Sequence, residues 1–226
     1  MNAETLKIAA AREALGEVRS GMTLGLGSGS TSNEFVKLLG KEVREGRLRG
    51  IRCTSTSVKT EELARAAGLE ICRLADVAPL DLAVDGADEV DASLRLIKGR
   101  GGALLREKIV EQAARRFLVI VDESKLVARL GVGALPVEVT PFALEVLTRR
   151  FAALGLAPEL RLQEGRPFVT DEQNHILDLR VPAGRDIADV VTEVRRHAGV
   201  VETGFFPDEA SEVIVAAAGG IRRIRR

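Results

Sequence analysis

Asp85, Asp88, Lys98 and Glu107 crowd into one stretch between Asp81 and Val110, DLAVDGADEVDASLRLIKGRGGALLREKIV. Glu89 and Asp91 stand beside the two aspartates, and the lysine opens a run of glycines, Lys98-Gly99-Arg100-Gly101-Gly102. Glycine costs backbone entropy and clustered like charges repel, so folding alone does not reward this composition. Carboxylates beside a lysine and open backbone amides suit proton transfer at carbon. The carboxylates move the proton, and the lysine and amides receive the negative charge that develops on oxygen. Singly, each residue has a plainer reading. Asp85 and Asp88 are ordinary turn acids, and Glu107 is one end of an i, i+4 surface network with Arg106, Lys108 and Glu111.

A second cluster, Gly25-Leu26-Gly27-Ser28-Gly29-Ser30-Thr31, has a different character. Amides and small hydroxyls ahead of a helix suit a phosphate monoester, because the first turn of a helix leaves its N–H groups unsatisfied. A dinucleotide fingerprint wants a glycine where Ser30 stands and an acid where Thr54–Ser57 follow the next strand. A Walker loop wants a lysine that is not there. The loop therefore reads as a phosphate cradle, and Lys125, after the apolar run Phe117–Val121, can add a point charge to it.

These residues need a scaffold that brings distant loops together. Helical periodicity predicts helices over 3–19, from Ser32 or Asn33 as cap to about 45, over 61–67 and over 103–115. Short strands are expected at 22–26, 51–54, 70–73, 82–84, 95–97 and 117–121, the last apolar enough to be buried on both faces. Alternation of this kind implies an α/β fold, a doubly wound and mostly parallel sheet. The polar clusters at Ser28–Thr31, Thr54–Ser57, Asp85–Asp88 and Asp122–Lys125 all follow strands, so they should share the carboxyl edge of that sheet. After Gly131 the rhythm becomes β-α-β-β-α-β, with strands at 137–140, 159–162, 168–170, 175–181 and 200–205 and helices at 141–154 and 187–196. That is the ferredoxin-like, split βαβ pattern of an α+β domain. Strands at 212–217 and 221–226, joined at Gly219-Gly220, should return to the first sheet. The expected division is 1–131 plus 206–226 for the large domain and 132–205 for the insertion.

Bulk composition narrows the partners. Lys plus Arg and Asp plus Glu are both 33, so no net field attracts nucleic acid or a membrane surface. Trp and Tyr are absent, leaving few rings on which bases could stack. Cys53 and Cys72 read as reduced core thiols. The charged, amphipathic N-terminus is unlike a signal peptide, and a cytoplasmic location is expected. His175 and His197 are too isolated for a triad or a metal site.

GLGSGST, TSTS, DGADE, KGRGGALLREK and VDESK together, in this order and near this spacing, resemble the ribose-5-phosphate isomerase type A family over the full chain. The resemblance implies a Rossmann-like domain with a ferredoxin-like insertion, and a homodimer or dimer of dimers. It implies a small-molecule sugar phosphate as substrate, D-ribose 5-phosphate exchanging with D-ribulose 5-phosphate in the non-oxidative pentose phosphate pathway, without metal or cofactor. Position by position it makes Glu107 the proton carrier, with Asp85, Asp88 and Lys98 also catalytic. Substrate binding falls to Ser28, Gly29, Ser30, Thr31, Asp85, Gly86, Ala87, Asp88, Lys98, Gly99, Arg100, Gly101 and Lys125. Arg100 departs from the pattern, since many members have glycine there, and it would be strained if the backbone needed positive φ.

Overall fold

A computed structural model of the chain describes residues 2–225. In chain order the elements begin α1 (Ala3–Leu15), β1 (Thr23–Leu26), α2 (Ser30–Arg44), β2 (Arg52–Ser55), α3 (Val58–Ala66) and β3 (Glu70–Ile71). There follow α4 (Leu74–Val77), β4 (Leu82–Asp85), β5 (Glu89–Val90), β6 (Leu96–Ile97), α5 (Leu104–Gln112), β7 (Phe117–Asp122) and β8 (Leu135–Val139). Then come α6 (Leu144–Ala153), β9 (Glu159–Leu160), β10 (Leu162–Gln163), β11 (Arg166–Pro167) and β12 (His175–Leu179). The chain closes with α7 (Ile187–Arg195), β13 (Val200–Thr203), β14 (Phe205–Phe206), β15 (Glu212–Ala217) and β16 (Gly220–Arg225). Arg226, the last residue of the expected terminal strand, lies outside the described residues.

The chain divides into two units. The first is Met1–Ala87, Arg106–Leu126 and Asp208–Arg226; the second is Asp88–Leu105 and Val127–Pro207. The first unit is built on a seven-stranded sheet in the order β16-β15-β7-β4-β1-β2-β3. All its pairings are parallel except β15 with β16, so the C-terminal hairpin does rejoin the first sheet. β7 is buried at all six positions, as its unbroken apolar run implies. One face packs on Ala10, Ala11 and Ala14 of α1, Phe35, Val36 and Leu39 of α2, and Ala64 of α3. On the other, Val110 of α5 packs with Val77 and Leu80. Gly25 permits that approach, since a Cβ there would lie 2.6 Å from a Val110 methyl.

The second unit holds a four-stranded antiparallel sheet, β13-β8-β12-β9, with α6 and α7 contributing Leu147, Phe151, Val190 and Val194 to its core. Residues 88–105 group with this unit because β5 pairs with β6, and β6 with β14, and neither joins the large sheet. Four expected elements change here, the first being the strand expected at 159–162, which divides at Arg161 into β9 and β10 in different sheets. The strand expected at 200–205 splits at Gly204, whose N–H donates to the Pro136 carbonyl and whose Cβ would lie 2.2 Å from the Lys98 carbonyl oxygen. The strand expected at 168–170 is a loop. Instead β10 and β11 form a hairpin whose turn residues, Glu164 and Gly165, both have positive φ. The helix expected from 141 starts as a 3-10 turn, Pro141–Ala143, and becomes α-helical at Leu144. Among the described residues no helix is long and apolar enough to cross a membrane.

Candidate active site

In the first unit, β2, β1, β4 and β7 are neighbours in that order and run parallel, Leu26 pairing with both Ser55 and Val84, and Asp85 with Val119. Their carboxyl ends open on one edge. The sheet grows through β2 and β3 on one side of β1 and through β4, β7 and β15 on the other. A reversal of this kind separates adjacent loops and leaves a crevice between them.

The first loop of that crevice is shaped by a missing side chain. A Cβ on Gly27 would lie 2.1 Å from Cγ of Asp85, so only glycine lets β1 leave the sheet beside the aspartate. Asp85 is 1% exposed. Its Oδ1 accepts hydrogen bonds from Ser32 Oγ and from the Gly86 N–H, each at 2.7 Å. Ser32 was expected at a helix cap, but α2 starts at Ser30 with Gly29 as its cap residue, which puts Ser32 inside the first turn. Its hydroxyl is turned to the aspartate instead. Asn33 likewise lies within the helix.

Ser28 Oγ sits 2.7 Å from Thr56 Oγ1, 2.7 Å from Ser57 Oγ and 3.1 Å from Thr60 Oγ1. Thr60 Oγ1 in turn donates to the Gly27 carbonyl at 3.2 Å. The Thr54–Ser57 cluster therefore braces the Gly-rich loop, and Ser28 spends its hydroxyl on that brace. Gly29, at φ 107°, and Ser30 are exposed, and Thr31 is half-buried. The amino end of α2 carries no side-chain cap and no acid in its first turn. Its N–H groups and the helix dipole favour an anion there. Lys125 ends a 3-10 turn after β7, braced by Asp122, whose Oδ1 accepts the Ser124 N–H at 2.9 Å.

Glu107 occupies the first turn of α5 and is 5% exposed; Lys108 and Glu111 are buried as well. The surface-network reading of Glu107 fails on that burial. Acids and lysines are almost never fully buried unless other groups engage them, so burial here marks a built environment.

In the second unit, Lys98 is 2% exposed, with Nζ 5.6 Å from the centroid of the Phe206 ring. Its own N–H donates to the Gly204 carbonyl at 2.8 Å. The loop that follows turns on Gly99, at φ 103°, and Gly102, at φ 85°, with the Gly102 N–H donating to the Gly99 carbonyl at 3.0 Å. Asp88 reaches the same loop, its Oδ2 accepting the Arg100 N–H at 2.9 Å. Arg100 is not among the residues with positive φ, so its departure from glycine carries no backbone strain. Its guanidinium turns to Glu89, at 3.4 Å. Glu89 in turn accepts from the N–H groups of Gly131, Val132 and Gly133.

Two further residues hold this loop and carried no sequence signal. Arg161 Nη1 donates to the carbonyls of Gly99 at 2.6 Å and Arg100 at 3.1 Å, while its Nε donates to Asp178 Oδ2 at 2.8 Å. Phe168 packs where Gly102 has no side chain; a Cβ there would lie 2.4 Å from the ring. The histidines are structural. His175 Nδ1 bonds the Phe168 carbonyl at 2.9 Å, and His197 meets Phe151 edge-on. Glu138, buried on β8, accepts from Thr170 and Asn174; burial pushes its carboxyl pKa up, against those two hydrogen bonds. Cys53 is a core thiol pushed up to about 12 by burial, but Cys72 is only half-buried, short of the core position expected for it. Among the described residues no three His, Cys, Asp or Glu side chains are placed to hold a metal ion.

Comparison with known proteins agrees along the whole chain. Residues 52–220 match the family described as ribose 5-phosphate isomerase A, or phosphoriboisomerase A. A ribose-5-phosphate isomerase A of Rhodopseudomonas palustris (strain BisB5) is 47% identical over 236 residues, covering 100% of both chains. A probable ribose-5-phosphate isomerase 2 of Arabidopsis thaliana is 44% identical over 97% of this chain and 86% of its own length. Among solved structures, a D-ribose-5-phosphate isomerase in complex with phospho-erythronic acid superposes with a TM-score of 0.95 at 40% identity over 100% of both chains. The ribose 5-phosphate isomerase A of Methanocaldococcus jannaschii gives 0.93 at 36% identity, again over 100% of both. The chain, with its seven-stranded mostly parallel sheet and separate antiparallel sheet, belongs to the ribose-5-phosphate isomerase A family.

Proposed function

We propose that this chain interconverts D-ribose 5-phosphate and D-ribulose 5-phosphate through a cis-enediolate, the isomerase step of the non-oxidative pentose phosphate pathway. The carrying observation is the near-complete burial of Asp85, Lys98 and Glu107 in a chain that matches the family end to end. Glu107 removes the proton from carbon 2 of the open-chain aldose and returns it to carbon 1. Asp85, oriented by Ser32 and Gly86, moves the hydroxyl proton as the sugar ring opens. Lys98 and the loop amides stabilise the oxyanion, a contribution of about 3 kcal/mol for a well-placed donor. Asp88 orients sugar hydroxyls and, through the Arg100 N–H, the loop itself.

The phosphate is held by the amino end of α2 from Ser28 to Thr31, with Lys125 supplying a charge. A relative solved with phospho-erythronic acid supports a sugar phosphate as the ligand class. Gly86, Ala87, Gly99, Arg100 and Gly101 complete the binding set; Arg100 acts through its backbone, since its guanidinium is engaged by Glu89. The reaction needs no cofactor or metal on this reading. The order β3-β2-β1-β4-β7 supports a Rossmann-like sheet, and β13-β8-β12-β9 supports a ferredoxin-like second domain, the finer fold names we adopt. Assembly as a homodimer or dimer of dimers in the cytoplasm belongs to the same proposal.

The test is ketose formation from ribose 5-phosphate with a metal chelator present. Steady turnover supports the reading. Absence of ketose rejects the activity, and turnover that the chelator abolishes rejects metal independence.

A further inference from the structure

The Gly99–Gly101 backbone is gripped from both sides within the second unit. The peptide between Gly99 and Arg100 has its carbonyl on Arg161 Nη1 at 2.6 Å and its N–H on Asp88 Oδ2 at 2.9 Å, so its plane is fixed at both ends. The next carbonyl, Arg100, is also taken by Arg161, at 3.1 Å. A trans peptide points its carbonyl and its N–H in opposite directions. Drawing the Arg100 carbonyl to Arg161 therefore turns the Gly101 N–H away from Arg161. The Arg100 N–H is spent on Asp88 and the Gly102 N–H on Gly99, which leaves Gly101 as the amide whose direction Arg161 decides.

Arg161 is itself held rigidly. Asp178, on β12, meets Nε at 2.8 Å and Nη2 at 2.5 Å, a two-point contact that fixes the plane of the guanidinium. Arg161 also accepts the Phe168 N–H on its carbonyl, at 2.9 Å, and Phe168 supplies the ring against Gly102. The two residues that support the loop are thus tied to each other across the base of the β10–β11 hairpin. A lysine at 161 would offer a point charge without the fork.

We propose that Arg161, oriented by Asp178, is a positioning residue that aims the Gly101 amide at the oxygen on which charge develops. This rests on the reading of Lys98 and its loop as the oxyanion donors. Misplacing such a donor by an ångström costs about 100-fold in rate, while phosphate binding elsewhere is untouched. The experiment is steady-state kinetics on Arg161→Met, Arg161→Lys and Asp178→Asn, with folding checked by circular dichroism and Lys98→Met run alongside. We expect kcat of Arg161→Met to fall about 100-fold with KM within threefold of wild type. Arg161→Lys should recover part of that loss, and added guanidinium should raise kcat of Arg161→Met. Asp178→Asn should lower kcat about tenfold, and its effect should vanish in the Arg161→Met background. A folded Arg161→Met, or a folded Arg161→Lys if the former does not fold, with kcat within twofold of wild type overturns the proposal. So does a rise in KM at unchanged kcat. If Lys98→Met itself keeps wild-type turnover, the oxyanion reading of the loop falls, a failure distinct from that of Arg161.

Discussion

The sheet edge of the first unit and the glycine loop of the second hold their functional groups by opposite means. At the edge, positions follow from topology. Parallel strands end together, Gly27 lets the chain turn beside Asp85, and a hydroxyl cluster of Ser28, Thr56, Ser57 and Thr60 braces the turn without any charge. In the loop, Gly99 and Gly102 give the backbone freedom that charged side chains then remove. Arg161, held by Asp178, grips its carbonyls, Asp88 takes one N–H, and Glu89 receives the Arg100 guanidinium. A preformed turn braced by neutral hydroxyls suits a phosphate that is the same in substrate and product. A loop held under electrostatic control suits an oxygen whose charge changes during the reaction.

Variants that touch the loop or Asp85 should therefore separate in kinetics from variants that touch only the phosphate site. Among them the largest effect is expected at Lys98. Lys98→Met should lower kcat about 100-fold with KM little changed, because the lost interaction is made with charge present only in the transition state. Gly27→Ala should lower kcat roughly tenfold, since its methyl group must displace Asp85, and the crystal structure of the variant should show the carboxylate moved. Lys125→Ala should raise KM about tenfold and spare kcat, the mark of uniform binding. A large kcat loss at unchanged KM for Lys125→Ala would erase the contrast.

The smallest effect concerns stability at β16, the end strand of the sheet. Arg223 donates to Glu17 at 2.8 Å and, chiefly through that hydrogen bond, holds its carboxyl below the usual glutamate range. A depressed folded pKa gives stability that is present above the unfolded value and lost as pH falls through the folded one. Arg223→Met should therefore lower the melting temperature by about 2–4 °C at pH 7 per kcal/mol lost. The gap should close as the pH drops below about 4, which thermal melts across pH would show.

What the sequence revealed of these two regions differs for the same physical reason. The edge was legible: strand periodicity and the polar residues after each strand place Ser28–Thr31, Asp85 and Lys125 without knowledge of distant contacts. The loop was visible as glycines and a lysine, but its supports were not. Arg161 and Asp178 look like alternating surface charges, and the ion pair that aims Arg161 at the loop carbonyls depends on the pairing β12-β9, a tertiary fact. Arg100 stands out from the glycine pattern, and whether it is strained turns on its φ, which together with its partner Glu89 only the fold supplies. Ser32 or Asn33 is the cap that the sequence suggests, because serine and asparagine near a helix start usually cap it. Only the approach of β4 to β1 gives Ser32 its partner Asp85. The split at Gly204 was hidden likewise, since nothing local shows that a strand changes sheets.

The central claim is that Glu107 carries the proton between carbons 1 and 2. The most direct measurement follows wild type and Glu107→Gln with ribose 5-phosphate in heavy water. Wild type should form ribulose 5-phosphate carrying deuterium at carbon 1. Glu107→Gln, which keeps the shape and loses the base, should turn over at least about 1,000-fold more slowly, with no faster uptake of deuterium. Ketose formation by a folded Glu107→Gln within tenfold of the wild-type rate would contradict the account.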